Sequence, residues 1–257
     1  MFQTIVLSLI QSLTEFLPVS SSGHLLLADA FGFSNQSLDF DAALHLGTLI
    51  AVVLYFYKDL LALLTGIWQK GAERILFFQL VIATLPVLCV GYFAKYIIET
   101  ALRSPLIVAT TSICFGILLW VVDKYSIKTK KIKQLSYKGA FFIGLAQILA
   151  LVPGTSRSGI TITAARFLGI NRTDSTRFSM LLSIPTIFIA GTYALWEASQ
   201  IKAALALTTQ MMWGIGLTAA FGLFAVWFLM HWVKHASFAI FAIYRIILGI
   251  FLFYFFL

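Results

Sequence analysis

Residues 11–24 read QSLTEFLPVSSSGH. They interrupt an apolar run, Ile5 to Ile10, with a carboxylate, a proline, three serines, a glycine and a histidine. Residues 147–161, QILALVPGTSRSGIT, do the same in the other half of the chain. Polar, kink-prone sequence at membrane depth is tolerated only where protein or a water-filled cavity surrounds it. Ionisable groups there are functional candidates.

Composition puts the chain in a membrane. Of its 257 residues, 60% are hydrophobic and 11% charged, with mean hydropathy +0.95; a soluble domain carries about 25% charged residues. Apolar runs of roughly 17 to 25 residues recur, which is a helical signature and not the ten-residue alternation of a β-barrel. No cleavable leader is expected, because the N-terminus lacks a basic region and a small-residue cleavage site. Cys89 and Cys114 fall in separate apolar runs and read as small hydrophobes. A net charge of +8 would hint at nucleic acid in a soluble protein. Here the lysines fall in loops, where they report topology, and no nucleic-acid partner is expected.

Residues 2–17 and 23–33 are each too short to span about 30 Å of hydrocarbon. Pro18 and the Ser-Ser-Ser-Gly run separate them, so they read as a re-entrant helical hairpin. Spans are expected at Asp39–Tyr57, Ile75–Phe93 and Pro105–Val122, with 60–73 amphipathic and interfacial. The hydrophilic loop 124–138 holds six lysines. A second hairpin follows, Gly139–Val152 and Ser158–Leu168, then spans at Phe178–Leu195, Met211–Met230 and Phe238–Leu257.

The expected fold is therefore an all-α polytopic membrane protein of six transmembrane helices and two re-entrant hairpins. It forms a single domain, with repeat halves 1–123 and 139–257. Gln11, Ser20, Ser22 and Gly23 match Gln147, Ser156, Ser158 and Gly159 at a constant offset of 136, and GTLIA (47–51) echoes PTIFIA (185–190). Three spans per half make the second half inverted, an architecture that places binding sites where broken helices meet. With the basic loop inside, twelve of eighteen lysines and arginines are inside, as the positive-inside rule asks. Lys95, Arg103 and Lys202 are outside; Arg157, Arg166 and Arg245 fall within hydrophobic segments.

Gln11 and Glu15 share a helical face. A carboxylate in an apolar run needs a cation, a metal or a proton, so Glu15 reads as metal ligand, general base or partner of an arginine. Mg²⁺ or Ca²⁺ is the expected cofactor, since hard cations use one or two carboxylates plus substrate phosphates. Ser20, Ser21 and Ser22 precede a helix start, where hydroxyls and free amides suit an anion or simply cap the helix. His24 follows as candidate general base, acid or nucleophile. In the second break, Arg157 stands among Gly154, Thr155, Ser156, Ser158 and Thr161; guanidinium grips phosphate oxygens bidentately. Acid, hydroxyls and imidazole on one side and arginine with hydroxyls on the other fit a phosphate or diphosphate, and phosphoryl transfer to water. The rival class is a secondary transporter or flippase for a phosphorylated lipid, since such repeats are typical of carriers. Asp41 and His45 are candidate supporting groups. Arg166 and Arg177 are expected to pair with Asp174 or Asp123, or to snorkel. His231 and His235 share a face but have no acid nearby, so no metal is expected there.

These residues resemble the undecaprenyl-diphosphate phosphatase family, also called bacitracin-resistance proteins. Gln11 to Glu15 with Phe16–His24 matches its first motif, and Pro153–Thr161 its second. Phe40–Leu49 and Arg177–Pro185 match two further segments, so the resemblance covers essentially the whole chain. It implies a bacterial inner-membrane hydrolase, a phosphoric anhydride hydrolase recycling the carrier lipid for peptidoglycan synthesis, with its site on the periplasmic side. Its partners would be a polyprenyl diphosphate substrate and membrane lipids, with a homodimer admitted. By motif position Glu15 would bind the metal or act as base, Arg157 would hold the diphosphate, and Ser21 and His24 would form the catalytic pair, with either as the attacking group. Gln11 stands where the family also uses Glu, as a further candidate metal ligand.

Overall fold

A computed structural model describes residues 1–33, 38–102, 104–126, 129–201 and 208–256. Arg103, Lys128 and Lys202, counted in the charge reading, lie outside them. The described residues form eleven α-helices, short π and 3₁₀ turns, and no strand; one isolated bridge joins Lys130 to Ile170. Four helices are long and apolar enough to cross a membrane: α5 (Ala72–Ala101), α6 (Pro105–Tyr125), α10 (Thr209–His235) and α11 (Ala239–Phe256). A fifth candidate is α3 (Leu38–Tyr55) followed by α4 (Tyr57–Gly66), bent by 74° at Phe56. The expected span Phe178–Leu195 lies within α9 (Arg172–Ile201). The protein is a multi-pass helical membrane protein.

Between these helices sit four short ones: α1 (Phe2–Phe16), α2 (Ser21–Ala28), α7 (Tyr137–Ile148) and α8 (Arg157–Phe167). At 1.5 Å per residue none reaches across hydrocarbon. Helix α1 turns its polar residues toward protein, along with Leu7 and Phe16, and other apolar residues outward. Thr4, Ser8, Gln11 and Ser12 are buried, whereas Phe2, Ile5 and Leu9 are exposed. The buried hydroxyls tie α1 to α10: Ser8 Oγ donates to Gly214 O at 3.4 Å and Ser12 Oγ to Thr218 O at 3.0 Å. Helix α7 meets α5 in the same manner, Gln147 Nε2 donating to Ala83 O at 3.4 Å.

At the lysine-rich end, Asp123 gathers three elements. It accepts from Arg166 Nε at 3.0 Å, from Arg172 Nε at 2.8 Å and Nη2 at 2.9 Å, and from the Phe238 amide at 3.1 Å. Arg166, one of the expected partners, is fully buried and does not snorkel. Arg177 instead pairs with Asp59, a partner the sequence reading did not weigh. Asp174 caps the 130s turn, accepting from the Ile132 amide at 3.0 Å.

Candidate active site

Both breaks turn on a serine. Ser20, before α2, has φ 75° and ψ 108°; Ser156, before α8, has φ 67° and ψ 113°. They are the only non-glycine residues with positive φ among those described. The positions differ by 136, the repeat offset. Side chains rarely adopt this backbone, and it costs of order 1–3 kcal/mol per residue, so the surroundings must enforce it. Each break also carries a serine pair, Ser20 Oγ to Ser22 Oγ at 3.1 Å and Ser156 Oγ to Ser158 Oγ at 3.3 Å.

The breaks hold each other. The Gly154 amide donates to Ser22 Oγ at 2.8 Å, and Ser158 Oγ donates to Leu17 O at 3.1 Å. Gly154 has φ +90°, and a Cβ there would lie 2.0 Å from Thr111 Oγ1. Only glycine lets this loop come so close to α6.

Around this seam the expected pair forms. Arg157 Nη2 donates to Glu15 Oε1 at 2.8 Å, with the two side chains only 13% and 12% exposed. Gln11 Nε2 donates to Glu15 Oε2 at 3.3 Å and lies 3.3 Å from His45 Nε2. His45 is thus drawn in from α3, as the Asp41–His45 spacing hinted, although its bond to Asp41 runs to the backbone carbonyl, at 2.9 Å. Arg157 Nη1 donates to Ser179 O at 3.2 Å. Thr161 is buried and committed to Arg157 O, Ser158 O and Ser179 Oγ, so it braces α8 against α9. Thr155 is buried, and its hydroxyl has no protein partner. Ser21 opens α2 half-buried.

His24 sits apart from Glu15. Its Nδ1 is 2.7 Å from Ser20 O and its Nε2 2.5 Å from Tyr244 Oη. A carbonyl can only accept, so Nδ1 carries hydrogen and, in the neutral ring, Nε2 accepts from the tyrosine. His24 lines a largely apolar groove of about 370 Å³ with Ile10, Leu13, Leu17, Phe241 and Tyr244. That groove runs along a different face of α1 from the one bearing Gln11 and Glu15. Two groups were not assigned to the site from sequence: Tyr244, and Arg245, noted only as lying in a hydrophobic segment, whose Nη2 donates to Gly154 O and Thr155 O. A tyrosine or arginine in an apolar run does not name its partner; the only signal was that an intramembrane arginine needs one.

No group of three His, Cys, Asp or Glu that could hold a metal occurs among the described residues. The donors at hand are one carboxylate, Glu15, the neighbouring amide of Gln11 and, beside that amide, the His45 imidazole. That set fits a hard cation only where substrate phosphate completes the shell.

Two broken helices, joined by serine-to-backbone bonds and burying an acid–guanidinium pair, define a helical multi-pass membrane protein with a buried polar site. The chain belongs to the family described as bacitracin resistance protein BacA, whose model matches residues 4–251. Undecaprenyl-diphosphatase of Desulforudis audaxviator (strain MP104C) is 45% identical over 253 residues, covering 97% of this chain and 95% of that protein. Undecaprenyl-diphosphatase of Teredinibacter turnerae is 42% identical, covering 98% of each chain. That of Alcanivorax borkumensis is 43% identical, covering 97% of this chain and 96% of the relative.

Proposed function

We propose that this chain hydrolyses undecaprenyl diphosphate to undecaprenyl phosphate and inorganic phosphate, recycling the carrier lipid for cell-wall synthesis and conferring bacitracin resistance. The observation that carries the reading is the Glu15–Arg157 pair at 2.8 Å, built from residues 142 positions apart and nearly closed off from solvent. Phosphoryl transfer is mostly positioning and charge stabilisation. In the resting site Glu15 occupies the guanidinium; a phosphate oxygen takes its place, and the freed carboxylate becomes base or metal ligand. Glu15 and Gln11 would hold Mg²⁺ or Ca²⁺, which when bound neutralises phosphate charge. Arg157 orients the terminal phosphate, Ser20, Ser22, Ser156 and Ser158 line its approach, and Ser21 or His24 attacks or activates water. The new bond to phosphorus forms as the bridging P–O bond breaks, and the monophosphate leaves with its tail in lipid; where Ser21 or His24 is the attacking group, water then hydrolyses the phosphorylated side chain to release inorganic phosphate.

The reading extends to topology. Halves 1–123 and 139–257 form an inverted repeat of six spans and two re-entrant hairpins, with loop 124–138 in the cytoplasm of a bacterial inner membrane and the site on the periplasmic side. Supporting it are the matched φ angles of Ser20 and Ser156, and the parallel packing of α1 on α10 and α7 on α5. A homodimer is compatible with it.

The test is phosphate release from undecaprenyl diphosphate by purified protein in detergent, with and without EDTA. Release that EDTA abolishes, and that Glu15→Ala and Arg157→Ala each abolish, is expected. A carrier releases nothing there. Wild type without turnover, or either variant at near-normal turnover, overturns the assignment.

A further inference from the structure

The reaction proposed above uses one guanidinium, and α11 brings a second to the same seam. Arg245 is fully buried. Its Nη2 donates to Gly154 O at 2.9 Å and Thr155 O at 2.7 Å, whereas Nε and Nη1 have no partner in the protein. Among the described residues none of the ion pairs includes it. Room is kept for it: a Cβ on Gly159 would lie 2.8 Å from Nη1, and one on Gly116 would lie 3.1 Å from the Arg245 Cβ.

A buried cation without an anion is costly, and more so at membrane depth. Helix α8 begins at Arg157, so the positive end of its dipole adds to the same place. Arg157 thus opens α8 and pairs with Glu15, while Arg245 grips the two carbonyls just ahead of that helix start without a carboxylate of its own. The missing negative charge is what a diphosphate would supply. The backbone points the same way. In a trans peptide the carbonyl and the following amide face opposite directions. With Thr155 O held by Arg245, the Ser156 amide is turned away from α11, at the residue whose positive φ shapes the break.

We propose that Arg245 is a positioning residue for the diphosphate: by drawing the Gly154 and Thr155 carbonyls toward α11 it turns the second break's amide and hydroxyls to the phosphates, and its unpaired charge offsets theirs. This rests on the phosphatase reading.

The test compares wild type with Arg245→Lys, Arg245→Gln and Gly159→Ala, whose Cβ would lie 2.8 Å from Nη1 and 3.2 Å from Ser156 and so displaces both while keeping the cation. It reads KM and kcat for undecaprenyl diphosphate, Ki for inorganic pyrophosphate as competitor, and the melting midpoint. KM and pyrophosphate Ki should rise about tenfold in Arg245→Lys and Gly159→Ala and about a hundredfold in Arg245→Gln, as for lost charge-assisted bonds. A purely structural residue would lower the melting midpoint and leave KM and Ki unmoved; that result, or failure of all three variants to fold, overturns the proposal. Wild type without turnover instead sinks the phosphatase reading itself.

Discussion

Among the described residues, two buried acid–arginine clusters are built to different standards. At the lysine-rich end Asp123, 3% exposed, receives two guanidinia and a backbone amide, with donors on both oxygens. At the seam Glu15, 12% exposed, receives one guanidinium and one amide at 3.3 Å. The first is saturated and joins α6, α8, α9 and α11, so it is a fastener. The second is under-coordinated and joins strained backbone, which is how a site that must exchange partners looks. Residue type alone does not separate fastener from site; the degree of saturation does.

The contrast is broken most sharply by charge removal at the seam. Arg157→Ala should abolish phosphate release, as above, and the milder Glu15→Gln should lower its kcat by about 10²–10³-fold, the scale of losing one transition-state contact. Replacing both, as Glu15→Gln with Arg157→Gln, should leave a folded but inert protein, because neither member of the pair is left charged without the other. A double variant that melts well below wild type would make the seam a fastener too. At the other cluster, Asp123→Asn should destabilise by about 3–5 kcal/mol, as one partner of a buried network is lost. Thermal unfolding in detergent measures it, and kcat per folded molecule should hold. Smaller effects come from the cross-bonds. Ser22→Ala or Ser158→Ala should each cost about 1 kcal/mol and slow turnover about fivefold, because each removes one bond between the breaks. Smallest is Tyr244→Phe, which frees His24 Nε2; a change in kcat of about fivefold or less is expected, read against an unchanged melting point.

Much of this was legible in sequence. The two breaks, Glu15, Arg157 and the 136-residue offset were all visible, because polar groups at membrane depth are too costly to be accidental. Helix ends were less so. Helix α5 runs to Ala101, beyond the expected Phe93, and Lys95 at its extension sits 5.2 Å from the Tyr193 ring. The 74° turn at Phe56 carries no proline or glycine to announce it. The facing of His24 was hidden as well. It depends on the φ of Ser20, and nothing in a run of three serines says which one turns the chain. Arg166 was matched to Asp123 among its options, but Arg172 and Arg245 find their partners only through tertiary packing.

The seam has a consequence for how the chain is made. Ser22 waits for the amide of Gly154, and Leu17 for the hydroxyl of Ser158, each more than 130 residues later in synthesis. Until the ribosome has delivered the second break, the first lacks these two partners. A polypeptide cut after residue 138 is therefore no working half. Its first break would keep Ser22 and Leu17 without the bonds that the second break supplies, and buried polar groups need such partners.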